Sequence, residues 1–123
     1  MTKTAKPGDT DLLRLRDELR KFAAERDWDQ FHSPKNLAIA LSVEGAELLE
    51  HFQWLRDAES AELPPDKRAE VAEELADVLL YLIRLADKLD VDLAAAAAEK
   101  IKINARKYPV NKARGTHQKY NKL

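Results

Sequence analysis

The sequence predicts an all-α protein, and three features predict it. Apolar residues recur at helical spacing through most of the chain, with no alternation of the kind a strand needs. Ala, Leu, Glu, Lys and Arg dominate and there are only three glycines, a composition of good helix formers. Helix punctuation, Ser-Pro, Pro-Pro-Asp and Asp-Val-Asp, falls between the periodic stretches. A length of 123 residues fits one domain of modest core, for which self-association is plausible.

The elements follow in order. Residues 1–9 read as a disordered lead, with Asp9 or Thr10 available to cap a first helix. Leu12, Leu15, Leu19, Phe22 and Ala23 then mark a helix to about Arg26. The connection 27–36 is rich in rings. Trp28, Phe31 and His32 there form either a lid on the core or one wall of a pocket. Ser33 before Pro34 starts a second helix, drawn to Trp54. Gly45 inside it implies either a close helix approach or room for a ligand. Residues 55–65 read as a loop. A third helix, Asp66 to Leu89, is apolar on most faces, as for a central helix or one in a subunit interface. After Asp90-Val91-Asp92 a fourth helix runs to Tyr108-Pro109. The tail 110–123 is basic and without a strong period.

Two acid pairs interrupt this pattern: Glu44 with Glu47, and Glu74 with Asp77. Each pair is spaced i, i+3 and so shares a helix face. Glu44 lies on the stripe of Leu37, Leu41 and Leu48, and Asp77 is the only charge between Leu75 and Ile83. Buried anions need a cationic partner or a metal ion. Ion pairs with Arg or Lys of a neighbouring helix are one solution. The other is a hard cation, and carboxylates without cysteine or nearby histidine favour Mg²⁺, with Mn²⁺ as a substitute. Magnesium is usually shared with substrate phosphates. Lys100, Asn104 and Lys107, at i, i+4 and i+7 with Tyr108 beside them, form a polar helix face able to donate to phosphate. Trp28, Phe31, His32 and Trp54 could stack on a base. A nucleoside triphosphate has both ends that this pattern needs.

Composition excludes several classes. The net charge of −1 gives no general attraction to a nucleic-acid polymer. No cysteine is present, so there is no disulfide and no thiolate zinc site. No signal-like run or membrane-length stretch occurs, so a cytoplasmic, membrane-free protein is expected.

At these residues the sequence resembles the MazG-like all-α nucleoside triphosphate pyrophosphohydrolases, most closely the dCTP pyrophosphatase branch. The pattern E-x-x-E, spacer, E-x-x-D is carried by Glu44, Glu47, Glu74 and Asp77. The branch is resembled further by Phe22 to His32, Pro34-x-Asn36-Leu37, Phe52-Gln53-Trp54, Asp77-Val78-Leu79-x-Tyr81-Leu82 and Ile103-Asn104-x-Arg106-x-Tyr108-Pro109. The likeness extends from about Leu15 to Leu123. It implies a four-to-five-helix bundle assembled as a dimer or dimer of dimers, with residues 10–109 as the catalytic domain. It implies Mg²⁺ on Glu44, Glu47, Glu74 and Asp77, with Glu44 or Glu47 as general base. Trp28, His32, Trp54 and Tyr81 would line the base and sugar pocket, and Lys100, Asn104, Lys107 and Tyr108 would face the phosphates. The reaction would split the α–β anhydride of dCTP, a modified dCTP, dUTP or a broader set. The departures are a shorter 55–65 loop and an end at Leu123, without the polar tail that animal members of the branch share. A non-catalytic helical interaction module whose acids form ion pairs is the rival reading.

Overall fold

A computed structural model describes residues 11–123. The lead expected over 1–9 and the cap at Asp9 or Thr10 lie outside the described residues. Six helices are present among them: α1 (Asp11–Glu25), α2 (Pro34–Glu50), α3 (Asp57–Ala61), α4 (Pro65–Lys88), α5 (Leu93–Lys107) and α6 (Val110–Ala113). Single 3-10 turns occur at Asp29–Phe31 and Tyr120–Lys122, and no strand is found among the described residues. The chain divides into two compact units, Met1–Val91 and Asp92–Leu123.

In the first unit α4 is the central element, packed against both α2 and α1. Its core is small: Ala23, Leu37, Val71, Ile83 and Ala86 are the buried apolar residues, and Leu37 is the largest side chain fully enclosed. The helix ends have local causes. Ser33 accepts a hydrogen bond from the Asn36 N–H at 3.1 Å, and Pro34 opens α2 with φ already set. The Asn36 side chain donates back to the Phe31 carbonyl at 3.0 Å, which fixes the ring-bearing connection to the start of α2. Replacing Ser33 with Ala removes a cap. The expected cost is about 1 kcal/mol, seen as a lower urea midpoint with an unchanged slope.

α1 and α4 end alike. Asp27 and Asp90 both take φ of 54°, in the left-handed region. The Trp28 N–H then reaches the Ala23 carbonyl at 2.9 Å, and the Val91 N–H reaches Ala86 at 2.9 Å. This is the reversal that usually carries glycine; aspartate is among the few side chains that tolerate it.

Two expectations change. The second helix stops at Glu50 rather than Trp54, with residues 51–54 in turns. The loop 55–65 contains the five-residue helix α3. Its start is held by Glu59, which accepts from the Arg56 N–H at 3.0 Å and from Arg56 Nε at 2.9 Å. The Arg56–Glu59 spacing was the available signal. Gly45 meets no atom within 4 Å of the place a Cβ would occupy, so close helix approach within this chain does not explain it.

The second unit contains α5, α6 and the last 3-10 turn. Asp92 caps α5 by accepting from the Ala95 N–H at 3.0 Å. Tyr108 and Tyr120 meet edge to face at 6.2 Å, and Lys107 Nζ lies 4.9 Å from the Tyr120 ring centre. The tail thus has structure that its sequence does not announce.

Candidate active site

The facing positions of α2 and α4 bring three acids together. Glu44, Glu74 and Asp77 each offer a carboxylate oxygen, all within 4.8 Å of one another. Two metal–oxygen bonds laid end to end span about 4–5 Å, so one hard cation can bridge them. Glu47, one turn along α2, is close enough to Glu44 to share a hydrogen bond with it but stands outside the trio.

The fit of a cation is tested by what these acids lack. Among the described residues no Lys, Arg or His forms an ion pair with Glu44, Glu47, Glu74 or Asp77. Glu44 Oε2 and Glu74 Oε2 are shielded from solvent without a hydrogen-bond partner. Ionised carboxylates only accept, so two of them facing each other cannot satisfy one another. A single proton between them can. Accordingly the Glu44 carboxyl is pushed up to about 7, first by removal from water, then by hydrogen bonding to Glu74 and Glu47, and by the charges of Glu47 and Asp77. A proton is one way to relieve such a cluster, and a divalent ion is the other. The residues present fit a divalent ion.

This has a measurable consequence. The native protein holds a proton on Glu44 up to about pH 7, whereas the ordinary value is 4.5. The native state therefore binds more protons between those values, and stability from this group falls as pH rises through that window, levelling above it. His32 is shifted down from 6.5 by burial and by Arg84, and acts in the opposite sense below that value. Comparison with Glu44→Gln isolates Glu44, because His32 is common to both. In chelator, the melting temperature of the native sequence relative to Glu44→Gln should drop from about pH 5 to about pH 7. With excess Mg²⁺ the drop should shrink or reverse, since metal replaces proton. An unchanged difference across the window, with and without metal, would show that the carboxylates are independent.

Beside the acids lies a cavity of about 400 Å³. Leu15, Leu19, Phe22 and Ala23 of α1 and Leu80 of α4 supply apolar wall; Trp28, His32, Tyr81, Asp77, Glu18 and Arg84 complete it. Asp77 belongs to both features, so the acid cluster opens onto the cavity. Trp28 meets Phe22 edge to face at 5.6 Å and His32 at 6.3 Å. Trp28 is 43% exposed and Phe31 59%, so neither is a lid on the core; Trp28 and His32 are pocket wall.

Of the residues singled out in the sequence, Trp28, His32, Tyr81 and Asp77 meet at the cavity, and Glu44 and Glu74 join Asp77. Trp54 is not in the wall and is 87% exposed. Lys100, Asn104, Lys107 and Tyr108 belong to the second unit, the first three on α5 and Tyr108 at its end. Sequence reasoning missed Glu18, Phe22 and above all Arg84, which is 5% exposed and the one buried charged residue among those described. A signal existed: Asp77, Tyr81 and Arg84 stand at i, i+4 and i+7 and so share one stripe of α4.

The arrangement can be set against known proteins. The MazG-like family profile matches residues 39–123, which include all four acids. The chain belongs to the MazG-like family. Among relatives of this MazG-like chain, dCTP pyrophosphatase 1 of Mus musculus and that of Homo sapiens are each 49% identical over 115 residues, covering 92% of this chain and 66% of theirs. The Bos taurus protein of the same name is 46% identical over 122 residues, covering 98% of this chain and 70% of its own. The chain thus spans about two thirds of the length of the curated relatives it matches. A solved pyrophosphatase from Archaeoglobus fulgidus superposes with a TM-score of 0.78 at 41% identity, over 89% of this chain and 98% of that one. The all-helical architecture is therefore that of a MazG-like pyrophosphatase fold.

Proposed function

We propose that this chain is a Mg²⁺-dependent nucleotide pyrophosphohydrolase that converts dCTP, or a base-modified dCTP, to the monophosphate and pyrophosphate. The observation that carries the reading is the sharing of Asp77. One acid belongs both to a carboxylate cluster without cationic partners among the described residues and to the wall of a ring-lined cavity. Such a place suits a ligand with a heterocycle at one end and a metal-bound polyphosphate at the other. The relatives named dCTP pyrophosphatase 1 support the base and the reaction.

Glu44, Glu74 and Asp77 would hold the ion, with Glu47 beside them, and Mn²⁺ would be an effective substitute. When bound, the ion supplies charge neutralisation and polarisation at the α-phosphate. The protein does the rest. A carboxylate, Glu44 or Glu47, accepts the proton of the attacking water. The water oxygen bonds to the α-phosphorus, the α–β bridging bond breaks, and pyrophosphate leaves with the bond pair. Trp28, His32 and Tyr81 hold base and sugar, and Lys100, Asn104, Lys107 and Tyr108 supply donors for the phosphates. Trp54, exposed in the single chain, would reach a base only with a further copy or on closure over the ligand.

Self-association belongs to the same reading. Leu75, Leu79 and Leu82 form an i, i+4, i+7 stripe on α4, with exposures of 53%, 38% and 36%, and Ile39, Val43 and Leu49 on α2 are at least half exposed. Apolar helix faces of this extent are covered in stable proteins. A dimer or dimer of dimers would cover them, and light scattering reads the mass directly. No described helix is long and apolar enough to cross a membrane. A cytoplasmic location is part of the same proposal.

The test is a panel of deoxy- and ribonucleoside triphosphates, with Mg²⁺ or chelator, scored for monophosphate, pyrophosphate and orthophosphate. Monophosphate and pyrophosphate in equal amounts from dCTP, only with metal, is the expected result. Preference for dUTP would keep the chemistry and change the substrate. Orthophosphate release would overturn the reading in favour of a phosphatase that cleaves a different bond, and no turnover of any member would overturn it and leave a binding module.

A further inference from the structure

The strongest unexplained feature is the buried guanidinium of Arg84. All three of its nitrogens are engaged. Nε donates to His32 Nδ1 at 3.2 Å, one terminal nitrogen donates to Asp29, and the other lies 3.7 Å from Asp87. Both acids are themselves held. Lys88 Nζ donates to Asp29 at 3.1 Å, and Arg20 grips Asp87 through two nitrogens at 2.7 and 2.5 Å. The network joins α1, the ring-bearing turn and α4, so the guanidinium cannot swing away cheaply.

An arginine side chain has donors and no acceptor, and it stays protonated. Whatever faces its Nε must therefore accept. For an imidazole this means a bare Nδ1, and a neutral ring that carries its hydrogen on Nε2. No described residue hydrogen-bonds Nε2. His32 itself lines the cavity, next to Trp28, and Tyr81 lines the same cavity.

We propose that Arg84 is a positioning residue that locks His32 as the Nε2–H tautomer, so that the cavity offers a fixed hydrogen-bond donor to an acceptor atom on the ring of the bound nucleotide. The inference rests on the nucleotide reading for its ligand, but the tautomer itself does not. A fixed donor favours a ring edge with a lone pair at that point and disfavours one that presents N–H there. Cytosine carries a lone pair at N3 where uracil and thymine carry N–H. Burial of His32 and the positive charge of Arg84 lower the ring's basicity, which keeps it neutral and in step with the geometry.

Two experiments test this on the whole chain. The first needs no activity. Long-range nitrogen–proton correlation of protein labelled in histidine distinguishes the two neutral tautomers and the cation, and His32→Gln assigns the signal among the three histidines. The expected pattern near neutral pH is protonated Nε2 and bare Nδ1. In Arg84→Lys, whose ammonium does not reach as a planar fork does, the pattern should become an average of both tautomers. A protonated Nδ1 or an imidazolium in the unsubstituted protein overturns the proposal. If Arg84→Lys does not fold, that first spectrum alone decides. The second experiment compares His32→Phe, a ring without a donor, with His32→Gln, an amide that keeps one. KM for dCTP should rise about tenfold in the first and return to within about threefold in the second, with kcat little changed in either, as for one lost neutral hydrogen bond. Equal KM in both variants overturns the donor role. Absence of turnover on every triphosphate would instead remove the nucleotide reading and leave the tautomer result standing.

Discussion

Asp77→Asn should abolish turnover, by about 10³-fold or more, equivalent to about 4 kcal/mol of transition-state stabilisation. The asparagine has the same shape and keeps one oxygen, but it takes a full negative charge from the only acid shared by the carboxylate cluster and the cavity. A hard cation held by three acids is held largely by their charge. The same substitution should not unfold the chain. In chelator, Glu44 and Glu74 already repel Asp77, and Glu44 relieves this only by keeping its proton to about pH 7. Removing one charge therefore leaves the metal-free melting temperature unchanged or raises it. In the unsubstituted protein, Mg²⁺ with a non-hydrolysable dCTP analogue should raise the melting temperature more than either alone, because both bind only the native state. In Asp77→Asn that synergy should vanish. Full rate with intact synergy would mean that Asp77 holds no metal.

Arg84→Met should be the most destabilising single change outside the apolar core. Methionine fills much of the volume, but it leaves Asp29 and Asp87 without the cation that links them and His32 without its donor. Breaking a buried ion pair by removing one partner costs about 3–5 kcal/mol. Asp29 is half exposed and Lys88 remains beside it, as does Arg20 beside Asp87, so the lower end, about 3 kcal/mol, is expected. Denaturant titration of the two proteins side by side reads this directly, at one protein concentration so that association does not enter. The control is Lys88→Met, a more exposed partner of the same aspartate, for which less than about 1 kcal/mol is expected. Equal losses in the two variants would mean that the network is no more than surface charge.

Much of the site was legible because helices are regular. Spacing alone put Glu44 with Glu47, and Glu74 with Asp77, on single faces, and the apolar neighbours showed that those faces look inward. The caps at Ser33 and Asp92 were legible for the same reason: each needs only one side chain and a few residues that follow it. What was not legible has a different range. Arg84 reads as one more charge at the end of an apolar run. Its partners Asp29 and Asp87, and the histidine it faces, come from 55 residues upstream, from the next turn of its own helix and from 52 residues upstream. Trp54 reads as a ring next to other rings, yet it is the most exposed large apolar side chain named.

The sequence by itself determined that the chain is helical, where most helices begin, and which acids are misplaced in an apolar pattern. Those properties depend on contacts within one or two turns, which linear spacing records. Only tertiary structure decided that Glu44, Glu74 and Asp77 converge with no ion-pair partner among the described residues while Glu47 stands aside, that Asp77 also faces a cavity, and that the guanidinium of Arg84 faces His32 Nδ1. Those depend on the way α1, α2 and α4 pack, and a packing contact between distant segments leaves no period in the sequence to be read.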